Sequence, residues 1–204
     1  KHISLASLPG MQQRTIITSS LSKTFSVTGW RIGWAIAPAP FSSTIRNIHI
    51  RITDSAPAPF QEAAITALTS PPEYYKLLKK EYESKRDFTV NLLSSLGFNI
   101  QFVPQGSFFL FAELPASFLL SDVDYVRELI KQAGVVAVPG RGFFHADRYP
   151  EKFASSVYRY QQRYIRFAFC KSDSTLAAAA KKLKEIADPS RFIKLTPTLK
   201  DNMS

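Results

Sequence analysis

The sequence predicts an α/β chain, and three observations carry that prediction. Two short runs rich in branched and aromatic residues, Thr15 to Ser19 and Arg31 to Ala37, have strand character and flank an unusually polar connection. A helical apolar stripe of about 24 residues follows, ending at Gly97. Strand-like and helical segments then mix over residues 98 to 188, as in an α+β unit. The expected division is residues 1–72 as part of a first domain, 73–97 as a long linking helix, 98–188 as a smaller α+β domain and 189–204 as a polar tail.

Each element has a local reason. The connection between the first two strands, SLSKTFSVTG, carries more hydroxyls than a turn requires, so its backbone and side chains are expected to face a ligand. From Phe41 to Leu68 the pattern is helical but interrupted at Ala56-Pro57-Ala58-Pro59, where each proline lacks a donor and pushes the preceding residue out of the helical region. Two helices with a kinked join are expected. Ser70-Pro71-Pro72-Glu73 is a start signal, with Ser70 as cap, Pro71 at the first helical position and Leu78, Tyr82, Leu92 and Leu96 along the stripe. Phe98 to Val103 alternates as a strand, and Ser107 to Glu113 reads as another. Ser121 and Asp124 form a capping box for a helix reaching Ala133, with Gly134 as its stop. Val135 to Val138 is a short strand closed by Pro139-Gly140, Tyr164 to Cys170 is a strand interrupted by Arg166, and Asp173 to Ala187 is an alanine-rich helix before Pro189.

Composition removes several classes of function. With 204 residues and 45% apolar content the chain can bury a substantial core, so neither disorder nor a collagen-like repeat fits. One cysteine cannot close a disulfide or build a cysteine-based zinc site, and is what a reducing compartment tolerates. No apolar stretch approaches the ~20 residues of a membrane crossing, and no signal-like block follows Lys1. A cytoplasmic protein is expected, an organelle of a eukaryotic cell being the other option. A first residue other than Met is what a processed product or part of a longer polypeptide would show. The net charge of +10 attracts anions, but Lys76, Lys79, Lys80, Lys85 and Arg86 are interleaved with Glu73, Glu81, Glu83 and Asp87. That spacing marks a solvated helix face, and no nucleic-acid or membrane partner is expected.

Lys23 is the strongest chemical signal. It stands between Ser22 and Thr24, with Ser20 before it and Arg31 beyond Gly29. A lysine set among desolvating groups and other cations is the residue type that serves as a Schiff-base nucleophile. An arginine beside serine hydroxyls gives a charge-assisted fork for a phosphate dianion. Together they would hold both ends of a cofactor bearing an aldehyde and a phosphate. The alternative is that Lys23 and Arg31 are ordinary exposed cations on a loop. Arg166 stands out in its strand and, taken alone, also reads as a strand arginine paired with a carboxylate. Histidines 2, 49 and 145 are too scattered for a metal site, His145 beside Asp147 reads as a surface pair, and Phe108, Phe109 and Phe111 read as core of the smaller domain.

The segment SLSKTFSVTGWRIG, Ser20 to Gly33, resembles the lysine signature of the class I/II aminotransferases, a family of fold-type I pyridoxal-phosphate enzymes. KHISLASLPGM ahead of it, PAPFQEAA (Pro57 to Ala64), QGSFFLFAEL (Gln105 to Leu114), GVVAVPGRGF (Gly134 to Phe143) and YIRFAFC (Tyr164 to Cys170) extend the resemblance over nearly the whole chain. Within the family it is most similar to the kynurenine- and methionine-type enzymes. The resemblance implies the C-terminal portion of the fold-type I architecture: residues 1–72 as part of the mixed sheet of the large cofactor-binding domain, with the smaller α+β domain after it. It implies pyridoxal 5′-phosphate as cofactor, Lys23 as its Schiff-base lysine and proton carrier, and Ser20 and Arg31 on the phosphate, with Ser22 placed for a further hydroxyl contact. Arg166 would clamp the α-carboxylate, bidentate and so orienting. Arg141 stands where the family has a small polar residue, and it is expected to point outward.

The expected activity is transfer of an amino group from an L-amino acid, aromatic or bulky and apolar, to a 2-oxo acid, in a homodimer. The family's phosphate-binding turn, ring-stacking aromatic, Asn and ring-nitrogen Asp are not found in this sequence. The complete parent is therefore expected to transaminate and these 204 residues alone to do so poorly or not at all. A lyase or decarboxylase of the same fold would keep the same lysine, and a catalytically silent basic interaction module is the reading from a different class.

Overall fold

A computed structural model describes residues 2–144 and 160–186, arranged as two compact units, Lys1–Tyr75 and Lys76–Ser204. His145, Asp147 and the tail from Pro189 lie outside the described residues.

In the first unit, β1 (Ile17–Ser20) pairs antiparallel with β2 (Gly33–Ile36) in the register Ile17↔Ile36 to Ser20↔Gly33. β2 lies inside its expected run and β1 extends one residue past its own, to Ser20, and within this chain they neighbour each other in antiparallel sense. α1 (Ala39–Thr53) starts behind Pro38 and ends at Asp54, whose φ of 62° turns the chain out of the helix. α2 (Ala58–Leu68) starts behind Pro57. The expected kink is thus a complete break, because a left-handed residue is followed by a proline that cannot donate into a helix. The core of this unit is small: Leu21, Ile32 and Ala64, packed by Phe25, Val27, Trp34 and Phe60. Ile48, Ile50 and Ile52 of α1 are left exposed.

α3 (Pro72–Ser95) begins one residue later than its cap signal suggests, and the division between the units falls within it. The second unit is built on an antiparallel sheet of order β3-β5-β4, comprising β3 (Phe109–Glu113), β4 (Val138–Pro139) and β5 (Tyr164–Ala168). α4 (Asp122–Ala133) follows its sequence signals closely. The Ser121 hydroxyl accepts from the Asp124 backbone N–H, and Gly134 at φ 61° closes the helix. α5 (Asp173–Ile186) completes the unit. Leu93 of α3, Leu110 of β3, Leu129 of α4 and Ile165 of β5 are wholly buried in one core. Each contributes roughly 1.5–3 kcal/mol relative to an exposed position.

Three expectations are corrected here. Val135 to Val138 is not a strand: only Val138 joins the sheet, together with the Pro139 that was expected to close it. Phe98 to Val103 is not a strand: Asn99 exchanges both backbone hydrogen bonds with Glu113, at 2.9 and 3.0 Å, and the pairing stops there. Pro104 has no N–H with which to extend a ladder, and Phe102 is left exposed. Phe109 and Phe111 are not core either. Along β3 the buried residues are Leu110 and Ala112, so the period of two turns Phe109 and Phe111 to the opposite face, while Phe108 packs on the core.

The close fit at Gly140 yields a stability prediction. A Cβ there would lie 2.4 Å from the Tyr164 carbonyl oxygen and 2.6 Å from its Cβ, both parts of a central strand that cannot give way cheaply. Gly140→Ala is expected to cost about 1–3 kcal/mol, read as a lower urea midpoint at unchanged m-value.

Candidate active site

The β1–β2 pair closes the polar connection at its base. Ser20 lies opposite Gly33, and the Leu21 N–H donates to the Ile32 carbonyl at 3.2 Å, so the loop leaves and returns at one point. Position 33 admits no side chain, because a Cβ would sit 2.8 Å from the Ser19 carbonyl oxygen. Leu21 and Ile32 turn into the core, and Ser22 is buried with them. Ser20, Lys23, Thr28 and Arg31 stay exposed. Ser22 is therefore separated from the other three residues singled out in this loop.

Thr28, which the sequence alone did not single out, organises the exposed surface. Its hydroxyl donates to the Ser22 carbonyl at 2.9 Å and accepts from Lys23 Nζ at 3.5 Å, and its carbonyl accepts from Arg31 Nη1 at 3.0 Å. Nothing in the sequence distinguishes this hydroxyl from its neighbours; its role comes from the loop folding back five residues after the lysine. Ser26 and Arg31 hold left-handed backbone, at φ 56° and 57°, a conformation costing a non-glycine residue about 1–2 kcal/mol. Packing offsets that cost. Phe25 stacks on Tyr74 with centroids 5.3 Å apart, the Tyr74 hydroxyl donates to the Thr24 carbonyl at 2.7 Å, and Trp30 stacks on Phe60 at 4.9 Å.

The donor set fits a molecule with an aldehyde and a phosphate. A primary amine, a serine hydroxyl and a guanidinium stand on one exposed loop, and the guanidinium spends only Nη1 on the described residues. Among the described residues no cluster of His, Cys, Asp and Glu could hold a metal ion.

In the second unit, Arg166 stands on β5 opposite Phe111 of β3 and Val138 of β4. Among the described residues it makes no ion pair. Its guanidinium carbon instead lies 4.2 Å from the ring centre of Phe109 and 4.6 Å from that of Phe143. Beside it, Tyr164 stacks on Phe111 at 5.0 Å, accepts from Gln101 Nε2 at 2.7 Å and donates to the Tyr160 hydroxyl. Burial, and then the bond with Tyr160, push the Tyr164 hydroxyl upward from its ordinary pKa, so it keeps its proton.

Arg141 corrects another expectation, because it points inward. Its Nε donates to Asp122 Oδ1 at 2.7 Å, Nη2 joins the same oxygen, and its backbone N–H donates to Oδ2 at 2.9 Å. Asp122 is fully buried. It is the first residue of α4, and its partner lies 19 positions away.

The first unit thus presents an amine braced in a hydroxyl-rich loop, and the second a guanidinium held among aromatic rings. The chain belongs to the aminotransferase class I and II family, whose profile matches residues 3–183. Members of this family depend on pyridoxal 5′-phosphate. The chain is similar to a methionine aminotransferase of Escherichia coli, 36% identical over 91% of this chain and 45% of that protein. It is also similar to a kynurenine–oxoglutarate transaminase of Dictyostelium discoideum, 35% identical over 88% of this chain and 43% of the relative. Among solved structures, N-succinyldiaminopimelate aminotransferase of Mycobacterium tuberculosis superposes with a TM-score of 0.78 at 30% identity, over 91% of this chain and 45% of that one. The fold is therefore part of the fold-type I architecture, and the chain spans less than half the length of these relatives. Among the described residues no helix is long and apolar enough to cross a membrane.

Proposed function

We propose that the whole protein carrying this chain moves an amino group from an L-amino acid to a 2-oxo acid. The observation that carries this reading is the Lys23 amine, bonded to Thr28 on the exposed surface that also presents Ser20 and Arg31. When bound, pyridoxal phosphate supplies a ring that delocalises negative charge arising at the substrate α carbon. Lys23 would hold the aldehyde end and would move the proton to and from the substrate α carbon. The Ser20 hydroxyl and the Arg31 guanidinium would hold the phosphate. Ser22 acts through its carbonyl, which fixes Thr28 and with it the lysine. Arg166 binds the α-carboxylate as a fork, which orients the substrate.

An aromatic or bulky apolar donor is supported by the similarity to a methionine aminotransferase and a kynurenine–oxoglutarate transaminase, and by the aromatic rings around Arg166. A homodimer in the cytoplasm belongs to the same proposal; the apolar side chains left exposed on α1 support an interface.

The test uses the whole protein with pyridoxal phosphate, L-methionine or L-kynurenine, and 2-oxoglutarate. The expected result is glutamate formed in equal amount with the donor's oxo acid, and borohydride fixing a pyridoxyl mass on the peptide containing Lys23. Carbon dioxide or ammonia released without glutamate would replace transamination by decarboxylation or elimination. Absence of the fixed mass would remove Lys23 from its role.

A further inference from the structure

Arg166 is held by ring faces, and one of those rings has an anchor of its own. Phe143 ends the short helical turn Arg141–Phe143, and this turn is pinned from two directions. The Gly140 N–H donates at 2.7 Å to the carbonyl of Tyr164, on the strand that carries Arg166. Arg141 places its backbone N–H, Nε and Nη2 on the two oxygens of the buried Asp122. Phe143 also meets Phe111 edge-on at 6.1 Å, and Phe111 is the residue opposite Arg166 in the sheet.

Burying the Asp122 carboxylate is an expensive way to hold a turn, since well-packed apolar side chains often serve stability as well. Its advantage is direction: three donors converging on one carboxylate fix both the position and the rotation of the turn. We propose that the Asp122–Arg141 pair is a positioning device for Arg166, acting through Phe143 to hold the guanidinium in one orientation. Its consequence for carboxylate binding rests on the reading of Arg166 as a carboxylate clamp; its consequence for geometry does not.

The test follows the side-chain Nε–Hε resonance of Arg166 in the full 204-residue chain, assigned by its loss in Arg166→Lys, with the amide spectrum reporting the fold. The neighbouring rings displace this resonance in the unsubstituted chain, and Phe143→Leu measures the share due to Phe143. Arg141→Lys keeps a charge opposite Asp122 but loses the fork, and Asp122→Asn keeps the shape but loses the charge. Both are expected to move the resonance by more than half of the Phe143→Leu change. Should Asp122→Asn fail to fold, Arg141→Lys decides alone. A folded Arg141→Lys chain with the Arg166 resonance unmoved overturns the proposal, as does a resonance indifferent to Phe143→Leu. In parallel, maleate serves as the carboxylate probe. Arg141→Lys is expected to bind it at least about tenfold more weakly, within the ~10²-fold that a misplaced orienting group can cost. If the unsubstituted chain binds no maleate while the resonances move as expected, the clamp reading of Arg166 falls and the positioning role stands.

Discussion

Replacing Lys23 with alanine is expected to lower amino-group transfer by the whole protein by ~10⁴-fold or more, the scale seen when a covalent nucleophile is removed. Lys23 is exposed and its bond to Thr28 is long, 3.5 Å, so the fold should be nearly indifferent, with stability within about 0.5 kcal/mol. That separation makes the result interpretable, because activity collapses while the thermal transition stays in place. Lys23→Arg sharpens it. An arginine keeps the positive charge but is never deprotonated, so it cannot attack a carbonyl carbon or carry the proton. If Lys23 served only to attract a phosphate, the arginine variant would keep most of the rate; the proposal expects it to be as inactive as alanine, measured by glutamate formation over long incubations.

The second large effect is expected at Arg166. Arg166→Lys retains the charge and can still lie against the rings of Phe109 and Phe143, but it loses the planar fork. A charge-assisted hydrogen bond contributes about 1.5–3 kcal/mol, which corresponds to a KM for the amino acid raised roughly 10- to 100-fold. The oxo acid shares the carboxylate, so its KM should rise by a similar factor. A variant with both KM values unchanged would show that the carboxylate binds elsewhere.

What the sequence made legible was local. The Lys23 loop was readable because its amine, hydroxyl and guanidinium fall within one short segment whose chemistry does not depend on distant partners. Both ends of α4 were readable because Ser121, Asp124 and Gly134 act within a turn of the helix they delimit. What was not legible depended on residues far apart. Arg141 looked like an outward surface cation until Asp122 appeared beneath it. Phe98 to Val103 had the alternation of a strand but a partner at Asn99 alone. Phe109 and Phe111 carried the signal that places them on the Arg166 face, since they alternate with Leu110 and Ala112; three phenylalanines so close together read as core until the phase of that alternation was known. Thr28 and Ser22 show the same limit on a smaller scale, because a reversal of the backbone decides which hydroxyl faces outward.

The order β3-β5-β4 puts β5, the last of the described strands, in the middle of the sheet. During synthesis on the ribosome, β3 emerges with only the Asn99 bridge beside it, and both β3 and β4 find their sheet partner in the segment beginning at Tyr164. A nascent chain stopped short of that residue would expose two orphan strands, the sort of intermediate that chaperones retain and that aggregates when they do not. The nonlocal closure also slows maturation, since neither the β3–β5 nor the β4–β5 pairing can form until residues 164–168 have been made.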